Sequence, residues 1–74
     1  MYYLITKPDC IWCDKAKGIL KIYKEDYQTY DYQEHPMIPK LMYEAALKSV
    51  PQIWYNSKHI GGYAALEDWL SDDT

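Results

Sequence analysis

Hydrophobic and polar positions change period several times along this chain, and each change marks an element. "YYLIT" (Tyr2–Thr6) is an unbroken aromatic and β-branched run, which predicts a strand buried on both faces and central in a sheet. Pro8 and Asp9 end it. From Ile11 to about Tyr23 the apolar positions are Trp12, Ala16, Ile19, Leu20 and Tyr23, one stripe of a helix. Gly18 interrupts that helix at a cost, and close backbone packing is the reason expected for it. "YQTYDY" (Tyr27–Tyr32) alternates and predicts a second strand. Pro36 and Pro39 punctuate a loop, with Pro39 suited to the first turn of a second helix. Ile38, Leu41, Met42, Ala45 and Ala46 give that helix its face, through Lys48. "VPQIWY" (Val50–Tyr55) is a third strand, "NSK" a turn, and "HI" (His59–Ile60) a fourth strand stopped by Gly61–Gly62. "YAALEDWL" (Tyr63–Leu70) is a third helix, and "SDDT" a polar, frayed tail.

The predicted order is βαβαββα in one α/β domain spanning residues 1–74. The first strand, helix and second strand form a parallel, right-handed βαβ unit. The last two strands form an antiparallel hairpin, which gives a mixed four-stranded sheet with helices on both faces.

Composition narrows the function. With no Phe and nine Tyr, tyrosine rings must supply much of the aromatic bulk. A net charge of −3, with lysines alone as the positive groups, argues against nucleic-acid binding, since no arginine can read phosphate or guanine bidentately. No apolar run approaches the roughly 20 residues of a membrane span, and the amino terminus lacks the basic start and apolar core of a secretory leader. The expected location is the cytoplasm. There, a close cysteine pair is more often catalytic or metal-binding than structural.

The chain has two cysteines, Cys10 and Cys13, in "KPDCIWCDKAK". A bridge closing so short a loop stabilises a fold weakly, which counts against a staple. Zinc would need two more ligands, and His35 and His59 fall in different elements without the usual spacing, so no metal is expected. Cys10 falls where the first helix begins. Orphan N–H groups and the helix dipole favour negative charge there, lowering a thiol below its free value of about 8.5. Cys13, one turn on, lies within disulfide reach and can resolve a mixed disulfide on Cys10. Lys7, Lys15 and Lys17 add positive potential; Asp9 and Asp14 oppose it, unless Asp9 caps the helix. Cys-x-x-Cys beside a βαβ pattern is itself thioredoxin-like.

"CIWC" at 10–13, "SVPQI" at 49–53 and "GGY" at 61–63 together resemble the glutaredoxins, small members of the thioredoxin-like fold. The short length and the absence of proline after the first cysteine resemble the small phage-type dithiol members, for which the location would be the host cytoplasm. The resemblance implies a glutathione-dependent thiol–disulfide oxidoreductase in electron transport. Cys10 would be the nucleophile and Cys13 the resolving thiol. Glutathione would be co-substrate and partner. Pro51 would be cis and face the cysteines, and the Val50 backbone would pair with glutathione like an added strand. Lys7 would meet a glutathione carboxylate, and Trp12 would line the groove. Gly61, Gly62 and Tyr63 would approach the γ-glutamyl end at a helix N-terminus. Protein disulfides, possible acceptors such as ribonucleotide reductase, and a monomeric state are implied with it.

Two departures bear on this. Ala64 and Ala65 stand where the family carries Asp, or Ser/Thr with Asp, for the glutathione amino group. No arginine is present for the glycine carboxylate, leaving Gln33 or Lys40 to replace it. Two other functions therefore stay open. One is a redoxin recharged by thioredoxin reductase, although the Trp-rich carboxy-terminal motif of those proteins is missing. The other is a non-catalytic or iron–sulfur-binding module, against which the bulky Ile11 and Trp12 count.

Overall fold

A computed structural model describes residues 1–71. Its elements are β1 (Tyr2–Thr6), α1 (Ile11–Ile22), β2 (Tyr27–Asp31), α2 (Met37–Glu44), β3 (Gln52–Tyr55), β4 (Lys58–Gly61) and α3 (Tyr63–Ser71). The βαβαββα order is as expected from the sequence. Of the predicted polar tail, Ser71 closes α3, and the rest lies outside the described residues.

The four strands run β2-β1-β3-β4 across one mixed sheet. β1 pairs parallel with β2 from Tyr2↔Tyr27 to Thr6↔Asp31, and antiparallel with β3 from Tyr2↔Tyr55 to Ile5↔Gln52. β3 and β4 form the antiparallel hairpin, irregular between Ile53 and Trp54. β1 is thus interior to the sheet, but it is not buried on both faces. Tyr2, Leu4 and Thr6 are buried while Tyr3 and Ile5 are half-buried, because only one face carries the main core.

That core joins Tyr2, Leu4 and Ile53 of the sheet to Ala16 and Leu20 of α1 and Leu66 and Leu70 of α3. α1 and α3 therefore share one face and pack on each other. α2 contributes one buried residue, Met42, and none to this core. Among the tyrosines only Tyr2 is fully buried. Leu and Ile fill most of the interior, and the Tyr27 and Tyr63 rings pack half-buried against it. The Tyr2 hydroxyl accepts a hydrogen bond from Trp69 Nε1 at 3.1 Å, and Tyr55 packs against both rings at 4.8 and 5.9 Å between centroids. Burial and the nearby Glu25 raise the Tyr2 hydroxyl above its ordinary pKa, against the opposing Trp69 hydrogen bond.

Two helix expectations fail for local reasons. α2 begins at Met37 and ends at Glu44 instead of reaching Lys48. Ala46 adopts φ 59°, the Ala46 N–H donates to Tyr43 O, and the Leu47 N–H donates to Met42 O at 2.8 Å. This is a Schellman closure with alanine where glycine is usual. α1 ends the same way on Lys24 (φ 57°), with Glu25 N–H donating to Leu20 O. The close packing expected at Gly18 is also absent: a Cβ there would meet nothing within 4 Å.

Candidate active site

Cys10 is the N-cap of α1. Its backbone is extended (φ −114°, ψ 105°) and its Sγ accepts the Cys13 N–H at 3.1 Å. A sulfur thus does the work a Ser or Asp oxygen does at most helix starts. Asp9 does not cap the helix. It sits at φ 54°, exposed, because the sharp turn out of β1 is made at this residue. Cys13 is bonded to Cys10 in a disulfide, with Cα atoms 5.2 Å apart. The two differ in access: Cys13 is 1% exposed and sealed in α1, Cys10 7% and at its tip.

The charges around the pair are partly spoken for. Asp14 and Lys17 form a 3.3 Å ion pair. Lys15 places its ammonium 4.8 Å from the centre of the Trp12 ring. Trp12, between the cysteines, is half exposed and lies 5.6 Å from the Tyr63 ring. Tyr63 opens α3 and donates weakly to Glu67 at 3.4 Å. Desolvation, then the Glu67 charge, raises its hydroxyl above the ordinary value, so it stays protonated and a donor.

The Val50–Pro51 peptide is cis, and Pro51 is buried. Val50 makes no backbone hydrogen bond among the described residues. The turn before it is tied to the sheet by a short chain of polar groups. Buried Gln52 donates from Nε2 to the Ser49 carbonyl at 2.9 Å, and His59 Nε2 donates to Gln52 Oε1 at 2.8 Å. His59 also stacks on Trp54 at 4.9 Å.

Two clefts meet along Ser49 and Val50. One, about 540 Å³, is lined by Trp12, Pro51, Gly62, Tyr63, Ala64 and Ala65 besides those two. Gly62 borders Pro51 closely: a Cβ there would lie 3.7 Å from the Pro51 carbonyl. Gly61 adopts φ 127°, which side chains rarely tolerate, and an added Cβ would come within 3.1 Å of Ala65 Cβ. The other cleft, about 350 Å³, includes Lys7, Tyr32, Met42, Tyr43, Leu47 and Lys48.

The structure therefore brings Trp12, Val50, Pro51, Gly62 and Tyr63 to one cleft and Lys7 to its neighbour, with Val50 common to both. Gly61 lies just behind, shaping the turn. Neither residue expected to replace the missing arginine lines either of these two clefts. The Gln33 N–H instead donates to Asp31 Oδ1 at 2.8 Å, and Lys40 is exposed on α2 outside both clefts. Lys48 and Tyr32 stand there instead. Sequence reasoning missed Lys48 because it placed that residue in α2; the signal would have been the Schellman closure, and alanine at its left-handed position hides it.

The glutaredoxin family model matches residues 3–60. No curated protein matches the chain by sequence. Among solved structures, a glutaredoxin from Brucella melitensis superposes with a TM-score of 0.80 at 23% identity, covering 97% of this chain and 79% of that one. A buckwheat glutaredoxin–glutathione complex gives 0.82 at 21%, covering 96% and 68%. The glutaredoxin-like NrdH-redoxin from Escherichia coli, described as having a thioredoxin-like activity profile, gives 0.83 at 14%, covering 99% and 93%. At these identities the likenesses establish the thioredoxin-like fold.

Proposed function

The chain belongs to the glutaredoxin family, and from that premise we propose that it is a dithiol thiol–disulfide oxidoreductase with Cys10 as nucleophile and Cys13 as resolving thiol. One observation carries the reading: the Cys10 sulfur itself caps α1 and receives the Cys13 N–H at 3.1 Å. In the reduced protein that bond and the helix dipole favour the Cys10 thiolate. The thiolate attacks one sulfur of a substrate disulfide, and the other sulfur leaves as a thiolate. Cys13 then attacks the Cys10 sulfur, its proton passes to one departing thiolate, the other takes up from water the proton Cys10 gave up on ionising, and the substrate leaves as two thiols. Two electrons have moved, and the protein holds the Cys10–Cys13 disulfide.

Glutathione is the proposed reductant. One molecule opens the disulfide by bonding to Cys10, and a second removes it as glutathione disulfide. The Val50 N–H and carbonyl would pair with its cysteine, Lys7 would meet its carboxylate, and Trp12, Pro51, Gly61, Gly62 and Tyr63 would shape its groove. Protein disulfides are the proposed acceptors, ribonucleotide reductase among them, with the protein acting as a single-domain cytoplasmic monomer. No helix among the described residues is long and apolar enough to cross a membrane.

A second reading rests on a specific feature. The Gly62–Ala65 end of the larger cleft presents no charged side chain, which favours recharging by thioredoxin reductase. Turnover of a small disulfide with glutathione and glutathione reductase, and separately with thioredoxin reductase, decides between them. Turnover with glutathione supports the first reading, and turnover with thioredoxin reductase alone supports the second. Turnover with neither contradicts both.

A further inference from the structure

The two clefts differ in chemistry although they share the Ser49–Val50 backbone. The larger is walled by the Trp12 and Tyr63 rings, Pro51, Ala64 and Ala65. Lys15 lies against the Trp12 ring, and that ring also neighbours Tyr63. The smaller carries Lys7 and Lys48, and neither forms an ion pair among the described residues. Each cleft contains a close neighbour of Cys10 in the chain, Lys7 on one side and Trp12 on the other.

We infer that, beyond glutathione, this site selects peptidyl cysteines with an apolar side chain before the cysteine and a carboxylate after it. The inference rests on the proposed exchange at Cys10. The direction follows from the backbone. Ser49's carbonyl is engaged by Gln52 and Pro51 has no N–H, so Val50 alone offers both a donor and an acceptor. A residue exchanging both bonds with a single partner residue is the antiparallel pattern. An antiparallel partner centred on Val50 runs its amino-terminal side toward Pro51 and its carboxy-terminal side toward Lys48. The preceding residue therefore meets Trp12, Tyr63 and Ala64, where an apolar side chain leaves water. The following carboxylate meets Lys7 and Lys48. An α-ammonium in the larger cleft would find no carboxylate among its lining side chains, so the γ-glutamyl group of glutathione gains less there than a leucine does.

The test uses the full-length reduced protein and mixed disulfides of cysteine with thionitrobenzoate, whose release is followed by absorbance. The thiolate attacks the cysteine sulfur, thionitrobenzoate leaves, and Cys13 frees the bound thiol; no recharging enzyme is needed. Four probes are compared: acetylated Leu-Cys-Asp amide, acetylated Asp-Cys-Leu amide, acetylated Leu-Cys-Asn amide, and glutathione. The Leu-Cys-Asp probe should react about tenfold faster than glutathione and than the reversed probe, the effect of half-burying a leucine. Its advantage over Leu-Cys-Asn should shrink in Lys48→Gln and shrink with added salt. Equal rates for the two orders, or a faster reaction with glutathione, would overturn the inference while leaving the dithiol chemistry intact. No thionitrobenzoate release from any probe, together with no formation of the Cys10–Cys13 disulfide on mixing with hydroxyethyl disulfide, would overturn the dithiol reading and the inference with it.

Discussion

Gln52 shows how much of this site depends on single side chains away from the sulfur chemistry. Its amide ties the Ser49 carbonyl to His59, and so fixes the turn from which Val50 presents its free backbone. Gln52→Leu keeps the volume but removes both bonds, leaving the Ser49 carbonyl and the His59 ring without partners. The expected cost is about 1–3 kcal/mol, read as a lower urea midpoint with unchanged slope. His59→Ala should cost less, since water can reach the exposed position of the lost ring. Equal costs would mean the stacking on Trp54, rather than the hydrogen bond, holds the turn. Gly61 is a second such residue. Its φ of 127° and the 3.1 Å approach to Ala65 make Gly61→Ala destabilising by about 1–3 kcal/mol, checked by the same measurement.

The helices show where the sequence is a good guide and where it is not. Period and β-branching give β1 to the residue and α1 and α3 to within one, because the apolar stripes of those helices face the core directly. α2 is misjudged by four residues at its end because its apolar positions continue past the point where Ala46 turns left-handed. No side chain announces that turn, just as none announces Lys24. The cysteine pair, the Val50–Pro51 bend and the Gly-Gly turn are legible because their chemistry needs those residue types. Lys48 and the Gln52–His59 tie are not, since each depends on which residues the fold brings together. The same helices supply a prediction. Gly18 lies within α1 with open space around its missing Cβ, so Gly18→Ala should stabilise the protein by about 1 kcal/mol. In a domain this small, that corresponds to a Tm about 4–8 °C higher. An unchanged or lower Tm would mean that α1 uses the flexibility of Gly18.

Across the whole molecule, stability rests on one face of a small sheet, and Tyr2 couples that core to pH. Its hydroxyl is raised above the ordinary value, mainly by burial, so the native state keeps the proton longer than the unfolded chain does. Where the native state holds more protons, unfolding free energy falls as pH rises. The contribution is thus fully present below the unfolded pKa, about 10, and is lost as pH climbs through the higher native value. Urea unfolding at about pH 8 and about pH 11 should show a loss that is smaller in Tyr2→Phe than in the parent. An equal loss in both would assign the alkaline sensitivity to the other tyrosines.

Mass spectrometry of trapped adducts shows which cysteine attacks and which resolves. Reduced parent, Cys13→Ser and Cys10→Ser proteins are each mixed with the thionitrobenzoate disulfide of glutathione, quenched with acid and mapped by peptide. With Cys10 as nucleophile, a lasting glutathione adduct forms on Cys10 in Cys13→Ser. The parent should give the internal disulfide without accumulated adduct, and Cys10→Ser should react little. An adduct forming as fast on Cys13 in Cys10→Ser as on Cys10 in Cys13→Ser would contradict that assignment.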